Sequence, residues 1–176
     1  TVTYTSPQLR SRLGIQQLPG GKGVFPDMTV RQNLVMGAYI HRHDSADVER
    51  RIASVLELFP DLERRQGQRA SSMSGGQQQM LALARVLLHE PEILLIDELS
   101  LGLAPTVVQD LLELIERLQE RGQTIILVEQ SLNVALSVAD RAIFLEKGQV
   151  RFEGSTEDLL KRDDLARAVF LGRDGG

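Results

Sequence analysis

Two stretches of the chain carry a short, continuous apolar run that ends in acidic or amide side chains. They are EILLID at 92–97 and TIILVEQ at 124–130. Runs of this length are typical of strands that are buried on both faces, as in a parallel sheet. A third pattern, AIFLEKGQVRFEG at 142–154, predicts a hairpin that turns at Lys147-Gly148.

Apolar residues at spacings of three and four positions predict helices along most of the remaining chain. These helices are expected at 28–43, at 45–59, after Gly76 and from Pro105 to Gly122. The 45–59 pattern is the clearest, and its apolar face consists of Val48, Ile52, Val55, Leu56 and Phe59. Proline is unfavourable inside a helix, so Pro60 is expected to end this one, with a linker at 61–72.

The order of these elements predicts the fold class. Ser131 is expected to cap a helix after the second strand, and two short helices are predicted to close the chain. Residues 1–17 are polar and show no clear pattern. Strands that alternate with helices of this length predict an α/β sheet with right-handed crossovers.

Composition narrows the possible functions. The 176 residues are 42% hydrophobic and 25% charged, as in ordinary soluble domains. The formal charge of −4 gives no basic field that would favour nucleic acid. Because the chain has no cysteine, disulfides, thiolate zinc sites and a cysteine nucleophile are excluded.

The sequence MSGGQQQ at 73–79 is the first candidate for chemistry. Ser74, Gly75 and Gly76 come immediately before a predicted helix, whose N-terminus favours anions and whose glycines allow close approach. A serine that only caps the helix after a flexible linker explains the same residues, because such caps are common.

The second candidate is the acidic pair that ends the first buried strand. Asp97 and Glu98 would lie in the crevice where α/β sheets bind ligands. An aspartate there can hold the magnesium of a nucleotide, and a neighbouring glutamate can deprotonate a water. A strand that simply ends in solvated acids is the competing interpretation.

A third stretch, LPGGKGVFP at 18–26, looks at first like a phosphate-binding loop. It fails the pattern G-x-x-x-x-G-K-[ST], because Gln16 stands where the first glycine is required and Gly23 where Ser or Thr is required. No buried strand is expected before it, and no helix directly after it.

Together these motifs resemble the ATP-binding subunits of ABC transporters, most closely the branch that serves branched-chain amino acid uptake. MSGGQQQMLALAR is similar to the family's signature motif, EILLIDE to its Walker B strand, SLGLAP to its D-loop and LVEQ to its switch region. VFPDMTVRQNLVMGAY, LELFPDLERR and ARAVFLG also resemble that branch. The resemblance implies a three-layer P-loop NTPase α/β fold, incomplete at the N-terminus, with a helical signature subdomain.

The resemblance also implies roles in binding ATP and Mg²⁺. Ser74, Gly75, Gly76 and Gln77 would bind the γ-phosphate of an ATP that a second subunit mainly holds. Gly20 would take the place of the polar Q-loop residue that approaches the magnesium and the attacking water, in a loop that faces the permease.

The remaining implied roles concern hydrolysis and the interface. Asp97 would assist magnesium, and Glu98 would be the general base. Ser100 and Gly102 would lie on the dimer interface, and Gln130 would replace the switch histidine. An amide can donate a hydrogen bond to phosphate but cannot carry a proton as imidazole can.

Two features depart from the family pattern. Leu99 stands where the family usually has proline after its Walker B acids. The pattern G-x-x-x-x-G-K-[ST] does not occur in the 176 residues, so the chain is expected to be the C-terminal part of a longer subunit.

The resemblance divides the chain into three expected parts. These are a Q-loop region with a core remnant at 1–27, a helical subdomain with the signature motif at 28–90, and a core with Walker B, D-loop, switch region and hairpin at 91–176. The expected partners are a second ATP-binding subunit, identical or different, and membrane permease subunits, with no nucleic acid. The chain is expected on the cytoplasmic face of the membrane.

Two hypotheses follow for the function of the chain. It belongs to the ATPase that powers an importer, or it is a non-catalytic module that contributes a signature motif to another subunit's ATP. The missing phosphate loop predicts poor MgATP binding by the chain alone and stabilisation by association, in a dimer unlike the family's. A DNA-repair or translation ATPase is disfavoured, since those relatives carry long insertions or tandem domains.

Histidines 41, 43 and 89 and arginines 50, 51, 64 and 65 are expected at solvated positions.

Overall fold

The computed structural model describes residues 2–20 and 23–161, which divide into two units. The first unit spans Thr1–Val128 and the second Glu129–Gly176. The helices of the first unit are Pro7–Arg12 (α1), Val30–Gly37 (α2), Ser45–Leu58 (α3), Pro60–Arg64 (α4), Gly75–Leu87 (α5) and Pro105–Glu120 (α6). Short 3₁₀ turns lie at Tyr39–His41 and Ala70–Ser72.

The first unit contains a parallel sheet. Its described strands are Ile15–Leu18 (β1), Ile93–Asp97 (β2) and Thr124–Val128 (β3), in the order β1-β2-β3. Both neighbouring pairs run parallel, with Leu18 opposite Ile96 and Ile96 opposite Leu127. The predicted α/β fold is confirmed, and the central strand carries the Asp97-Glu98 pair at its carboxyl end.

The helix predicted at 45–59 is confirmed as α3. Asp44 caps it by accepting a hydrogen bond from the Asp47 amide at 2.9 Å, and all five predicted apolar residues are buried. Pro60 ends α3 but also begins α4, so the prediction of a linker over 61–72 was wrong. Proline suits the first turn of a helix, where its missing N–H is not needed.

The helix predicted at 28–43 is shorter than expected. Thr29 caps α2 in a reciprocal capping box with Gln32, and the α-helix ends at Gly37. A 3₁₀ turn at Tyr39–His41 then replaces the last predicted turn. The Ala38 cap donates its amide to Leu34 and Met36 carbonyls, which marks the end of the regular helix.

Strand β1 is a feature that the sequence pattern did not predict. Its residues, Ile15-Gln16-Gln17-Leu18, contain two glutamines, and only Leu18 is fully buried. Pairing with β2 stabilises the strand, since tertiary context outweighs weak local preference in sheets. The expectation that no buried strand precedes LPGGKGVFP was therefore wrong, because β1 leads directly into this loop.

Strand β3 forms as predicted, but it is not buried on both faces. Ile126 and Val128 are 51% and 58% exposed, whereas Leu94 and Ile96 of β2 are buried. Leu95 and its register partners Gln17 and Ile126 share the more open face. The described residues therefore cover one face of the sheet well and the other incompletely.

The second unit contains the predicted hairpin. Strands Arg141–Glu146 (β4) and Gln149–Ser155 (β5) pair antiparallel, and positive φ angles of 48° and 77° at Lys147 and Gly148 form the turn. Helices Leu132–Val138 (α7) and Thr156–Leu160 (α8) flank the hairpin.

Two details of this unit differ from the sequence prediction. Ser131 occupies the N-cap position of α7, but its side chain makes no capping hydrogen bond. Of the two predicted closing helices, α8 is described, and the ARAVFLG segment lies outside the described residues.

Candidate functional site

The N-terminus of α5 is built by a reciprocal capping box. Ser74 Oγ accepts a hydrogen bond from the Gln77 amide at 3.3 Å, and Gln77 Oε1 accepts one from the Ser74 amide at 3.0 Å. The same arrangement of Thr29 and Gln32 begins α2, so a capping box alone does not identify a ligand site.

The two glycines between these capping residues keep their amides available. Within the described ranges, neither the Gly75 nor the Gly76 N–H makes a hydrogen bond. Unpaired amides at the start of a 13-residue helix attract anions, because the helix dipole adds partial positive charge there. This end of α5 has the chemistry of a phosphate site.

Gly76 also has a purely steric reason to be glycine. A Cβ atom at Gly76 would lie 2.4 Å from Val107 Cγ1, whereas one at Gly75 would lie 3.9 Å from Leu103 Cδ2. Gly76 is buried and Gly75 is exposed. The close approach of α5 and α6 therefore depends on Gly76, and the space for a ligand lies at Gly75.

The acidic pair at the end of β2 lies in a tight turn. The Glu98 amide donates to the Val128 carbonyl at 2.9 Å, and Glu98 has a φ of +51°. A left-handed backbone is costly for a residue with a side chain, and Glu90 and Lys147 share it in this chain. Leu99 is completely buried, so packing anchors the turn where the family pattern has proline.

The loop after β1 reaches this turn. A Cβ atom at Gly20 would lie 3.5 Å from the Asp97 carbonyl oxygen and 3.7 Å from Glu98 Oε2. These are ordinary van der Waals distances, and the φ of Gly20 is not in the left-handed region. The structure therefore brings Gly20, Asp97 and Glu98 together, with room for a side chain at position 20.

Ser100 and Gly102 belong to the loop between this turn and α6. Leu103 donates its amide to the Ser100 carbonyl at 3.2 Å, and Gly102 has a φ of +71° with open space around it. Leu101 is 65% exposed, while Leu103 faces Gly75. The loop is thus exposed beside the start of α5. Gln130 belongs to the second unit and is described only within it.

The loop after Gly20 is held by hydrogen bonds from two residues that the sequence analysis did not single out. Buried Asn33 accepts a hydrogen bond from the Phe25 amide at 2.8 Å and donates one to the Phe25 carbonyl at 2.9 Å. Arg85 of α5 donates to the Gly23 carbonyl and lies 4.5 Å above the Phe25 ring. Burial lowers the pKa of Arg85. The helix that begins at the capping box is therefore tied to the Gly20 loop.

The expectation of solvated histidines and arginines was wrong at four positions. Arg65 is half-buried and donates to the Gln68 side chain at 3.2 Å. Arg51 is only 13% exposed and pairs with Asp47 at 2.7 Å and Glu90 at 3.0 Å. His41 and His89 are half-buried, with ring centroids 6.0 Å apart. His89 Nδ1 and His41 Nε2 are buried without a partner among the described residues. Burial, and the nearby charges of His41, Arg51 and Arg85, lower the pKa of His89.

The described residues offer no protein-only metal cage. No group of three or more histidine, aspartate or glutamate side chains within 2–20 and 23–161 is arranged to hold a metal ion. Mg²⁺ at nucleotide sites usually needs only one or two carboxylates together with phosphates and waters. No helix in the same ranges combines the length and apolar character of a bilayer-spanning segment.

Known proteins match the chain both in sequence and in structure. Residues 3–100 match the ABC transporter family. The high-affinity branched-chain amino acid transport ATP-binding protein BraG of Pseudomonas aeruginosa is 45% identical over 161 residues, which are 92% of this chain and 68% of BraG. A probable branched-chain amino acid transport ATP-binding protein, LivF of Archaeoglobus fulgidus, is 36% identical over 94% of this chain and 70% of its own length.

The structural comparison agrees at the level of fold. The ADP conformation of MJ1267, an ATP-binding cassette of an ABC transporter, superposes with a TM-score of 0.82 at 22% identity, over 97% of this chain and 73% of MJ1267. CbiO1 of Clostridium perfringens, part of an ABC transporter complex, superposes with a TM-score of 0.79 at 23% identity, over 94% of this chain and 67% of CbiO1.

Proposed function

This chain belongs to the ABC transporter family, and on that premise we propose that it is part of the nucleotide-binding subunit of an importer for branched-chain or related amino acids. The identity to BraG and LivF, over more than nine tenths of the chain, supports this cargo class. The geometric observation that carries the catalytic part is the meeting of Gly20, Asp97 and Glu98 at the end of β2.

The start of α5 has the proposed role of binding the γ-phosphate of an ATP held mainly by a second ATP-binding subunit. Gly75 and Gly76 donate backbone amides, and Ser74 and Gln77 hold the helix end in shape through their mutual hydrogen bonds. The exposure of Gly75 supports access from outside the chain. Ser100 and Gly102 contribute to the interface with that second subunit, which is identical or different.

Asp97 and Glu98 have the proposed roles in hydrolysis. Asp97 would help to hold the Mg²⁺ that accompanies ATP, which supplies positive charge for the phosphates. Glu98 accepts the proton of the attacking water, and its fixed left-handed backbone orients the carboxylate. Gln130 donates a hydrogen bond toward phosphate. Gly20 faces Asp97 and Glu98 without a side chain and borders the surface for membrane permease subunits.

The alternative is a non-catalytic module that lends its signature motif to another subunit. The absence of G-x-x-x-x-G-K-[ST] from the 176 residues favours this for the chain by itself. We further propose that the chain has three parts, at 1–27, 28–90 and 91–176. We also propose that it lies on the cytoplasmic face of the membrane and forms a dimer unlike the family's. The exposed Ile126 and Val128 support association.

Substitution of Glu98, the proposed general base, tests the proposed catalytic role in the assembled transporter. Glu98→Gln keeps the size of the side chain and removes its proton acceptor, so ATP hydrolysis and ATP-driven leucine uptake should fall by about 10²–10⁴-fold. Glu92→Gln, at the exposed other end of β2, is the matched control and should change neither. Unchanged hydrolysis in Glu98→Gln would favour the non-catalytic alternative.

A further inference from the structure

A cavity of about 240 Å³ lies in the first unit, among α3, the end of α5 and the end of α6. We call it the α3/α6 cavity. Leu87 and Leu88, at the C-terminal end of α5, line it, so it is remote from the capping box at the other end of that helix. None of the roles proposed above uses it.

The floor of the α3/α6 cavity is aliphatic. Val55, Leu87 and Leu118 line it and are themselves at most 7% exposed, and Leu58 completes the apolar wall. Pockets for drug-sized ligands typically measure about 300–1,000 Å³, so this smaller cavity suits a molecule of amino-acid size. The apolar floor selects a hydrocarbon side chain.

The rim of the cavity is charged. Arg51 and Glu90 form an ion pair of 3.0 Å at one side, and Glu90 is held at a φ of +48°. Arg121, at the C-cap of α6, also lines the cavity and forms no ion pair or side-chain hydrogen bond with any residue in the described ranges. A guanidinium of this kind suits a carboxylate, whereas the Glu90 carboxylate is already paired with Arg51 and, at 3.2 Å, with Arg50.

We propose that the α3/α6 cavity binds a branched-chain amino acid, with its side chain on the aliphatic floor and its carboxylate at Arg121. The choice among small zwitterions rests on the cargo class of the proposed function. Such a ligand bridges α3 and α6, so its binding stabilises the packing of the helical part against α6. The transporter would thereby carry a cytoplasmic sensor of its own cargo.

Titration of the 176-residue chain with L-leucine, followed by NMR chemical shifts, tests this site without ATP or membrane. We expect saturable shifts at the cavity residues with a dissociation constant on the order of 1 mM, and none with glycine or L-lysine. Ser54 lines the cavity from an exposed position of α3, so Ser54→Phe should fill it and abolish binding. Ala53→Phe, exposed on the same helix but outside the cavity, should bind normally.

A charge variant tests the carboxylate contact independently. Arg121→Gln should weaken leucine binding about tenfold, the effect of one lost charge-assisted hydrogen bond. Arg117→Gln, one turn earlier on α6 and outside this cavity, should not. Absence of saturable shifts, or binding that survives both Ser54→Phe and Arg121→Gln, would overturn the proposal.

The test of the α3/α6 cavity and the test of the proposed function can fail independently of each other. Leucine uptake by the assembled transporter without leucine binding by the chain would reject the site alone. Uptake of a different solute, with leucine binding intact, would reject the proposed cargo and leave the site standing.

Discussion

Gly75 and Gly76 are neighbours in the signature motif but have opposite steric surroundings. Gly75 has open space, whereas Gly76 fits only because it lacks a side chain beside Val107. The family resemblance implies phosphate binding for both glycines. The structure adds a packing requirement at Gly76 that Gly75 does not share, although neither N–H is paired with another described residue.

Alanine substitutions should distinguish the two glycines. Gly76→Ala places a methyl group against Val107 and should lower the free energy of unfolding by about 1–3 kcal/mol, the usual cost of overpacking. Gly75→Ala should be neutral or stabilising by up to about 1 kcal/mol, since alanine favours the helix. Urea unfolding measures both. Adding Val107→Ala to Gly76→Ala should restore most of the loss, and no restoration would contradict the contact.

Gly20 offers a second test at a single residue. Gly20→Gln adds an amide beside Asp97 and Glu98 without a backbone penalty, so it should raise ATPase activity of the assembled transporter by up to about tenfold. Gly67→Gln, at a glycine with open space, is the control and should have no effect. An unchanged rate in Gly20→Gln would mean that glycine is the working form of this loop.

At the scale of elements, α5 connects several parts of the site. Its N-terminus carries the capping box, Arg85 in its last turns holds the loop after β1, and His89 follows its end. The same helix therefore carries the capping box at its start and contacts the loop after β1 through Arg85 near its end.

The packing around His89 predicts a pH dependence of stability. Burial and neighbouring positive charge lower its pKa in the folded chain below the ordinary 6.5, so the unfolded chain takes up this proton first. The contribution of neutral His89 to the free energy of unfolding is complete above pH 6.5. As the pH falls below 6.5, this free energy decreases by up to about 1.4 kcal/mol per pH unit. His89→Gln should flatten urea-measured stability between pH 7 and 5 relative to exposed His43→Gln. Equal slopes in the two variants would contradict this assignment.

The helices and strands also show which structural features the sequence pattern predicts and which it does not. Continuous apolar runs predicted β2 and β3, and apolar residues at spacings of three and four predicted the buried face of α3, because buried positions in these elements are mostly apolar. Strand β1 left no such trace, since Gln16 and Gln17 interrupt it and its stability comes from pairing with β2. Arg85 was missed for a related reason, because its partners Gly23 and Phe25 are distant in sequence.

At the scale of the whole molecule, the described chain has a candidate acidic site and a candidate anion site but no phosphate-loop sequence. A lysine surrounded by fixed amides is the main source of affinity in such loops. We therefore expect the isolated chain to bind MgATP poorly and to hydrolyse it negligibly.

Calorimetric titration of the 176-residue chain with MgATP measures this directly. The expected result is a dissociation constant well above the micromolar range. Micromolar binding by the isolated chain would contradict the expectation.

The contact between Gly76 and Val107 constrains the order in which mutations can accumulate. A lineage that first acquires Gly76→Ala meets a methyl group 2.4 Å from Val107 Cγ1 and loses stability at once. A lineage that first acquires Val107→Ala opens the space and can then accept alanine at position 76. The same double variant is thus reached without the clash between residues 76 and 107 by only one of the two orders of mutation.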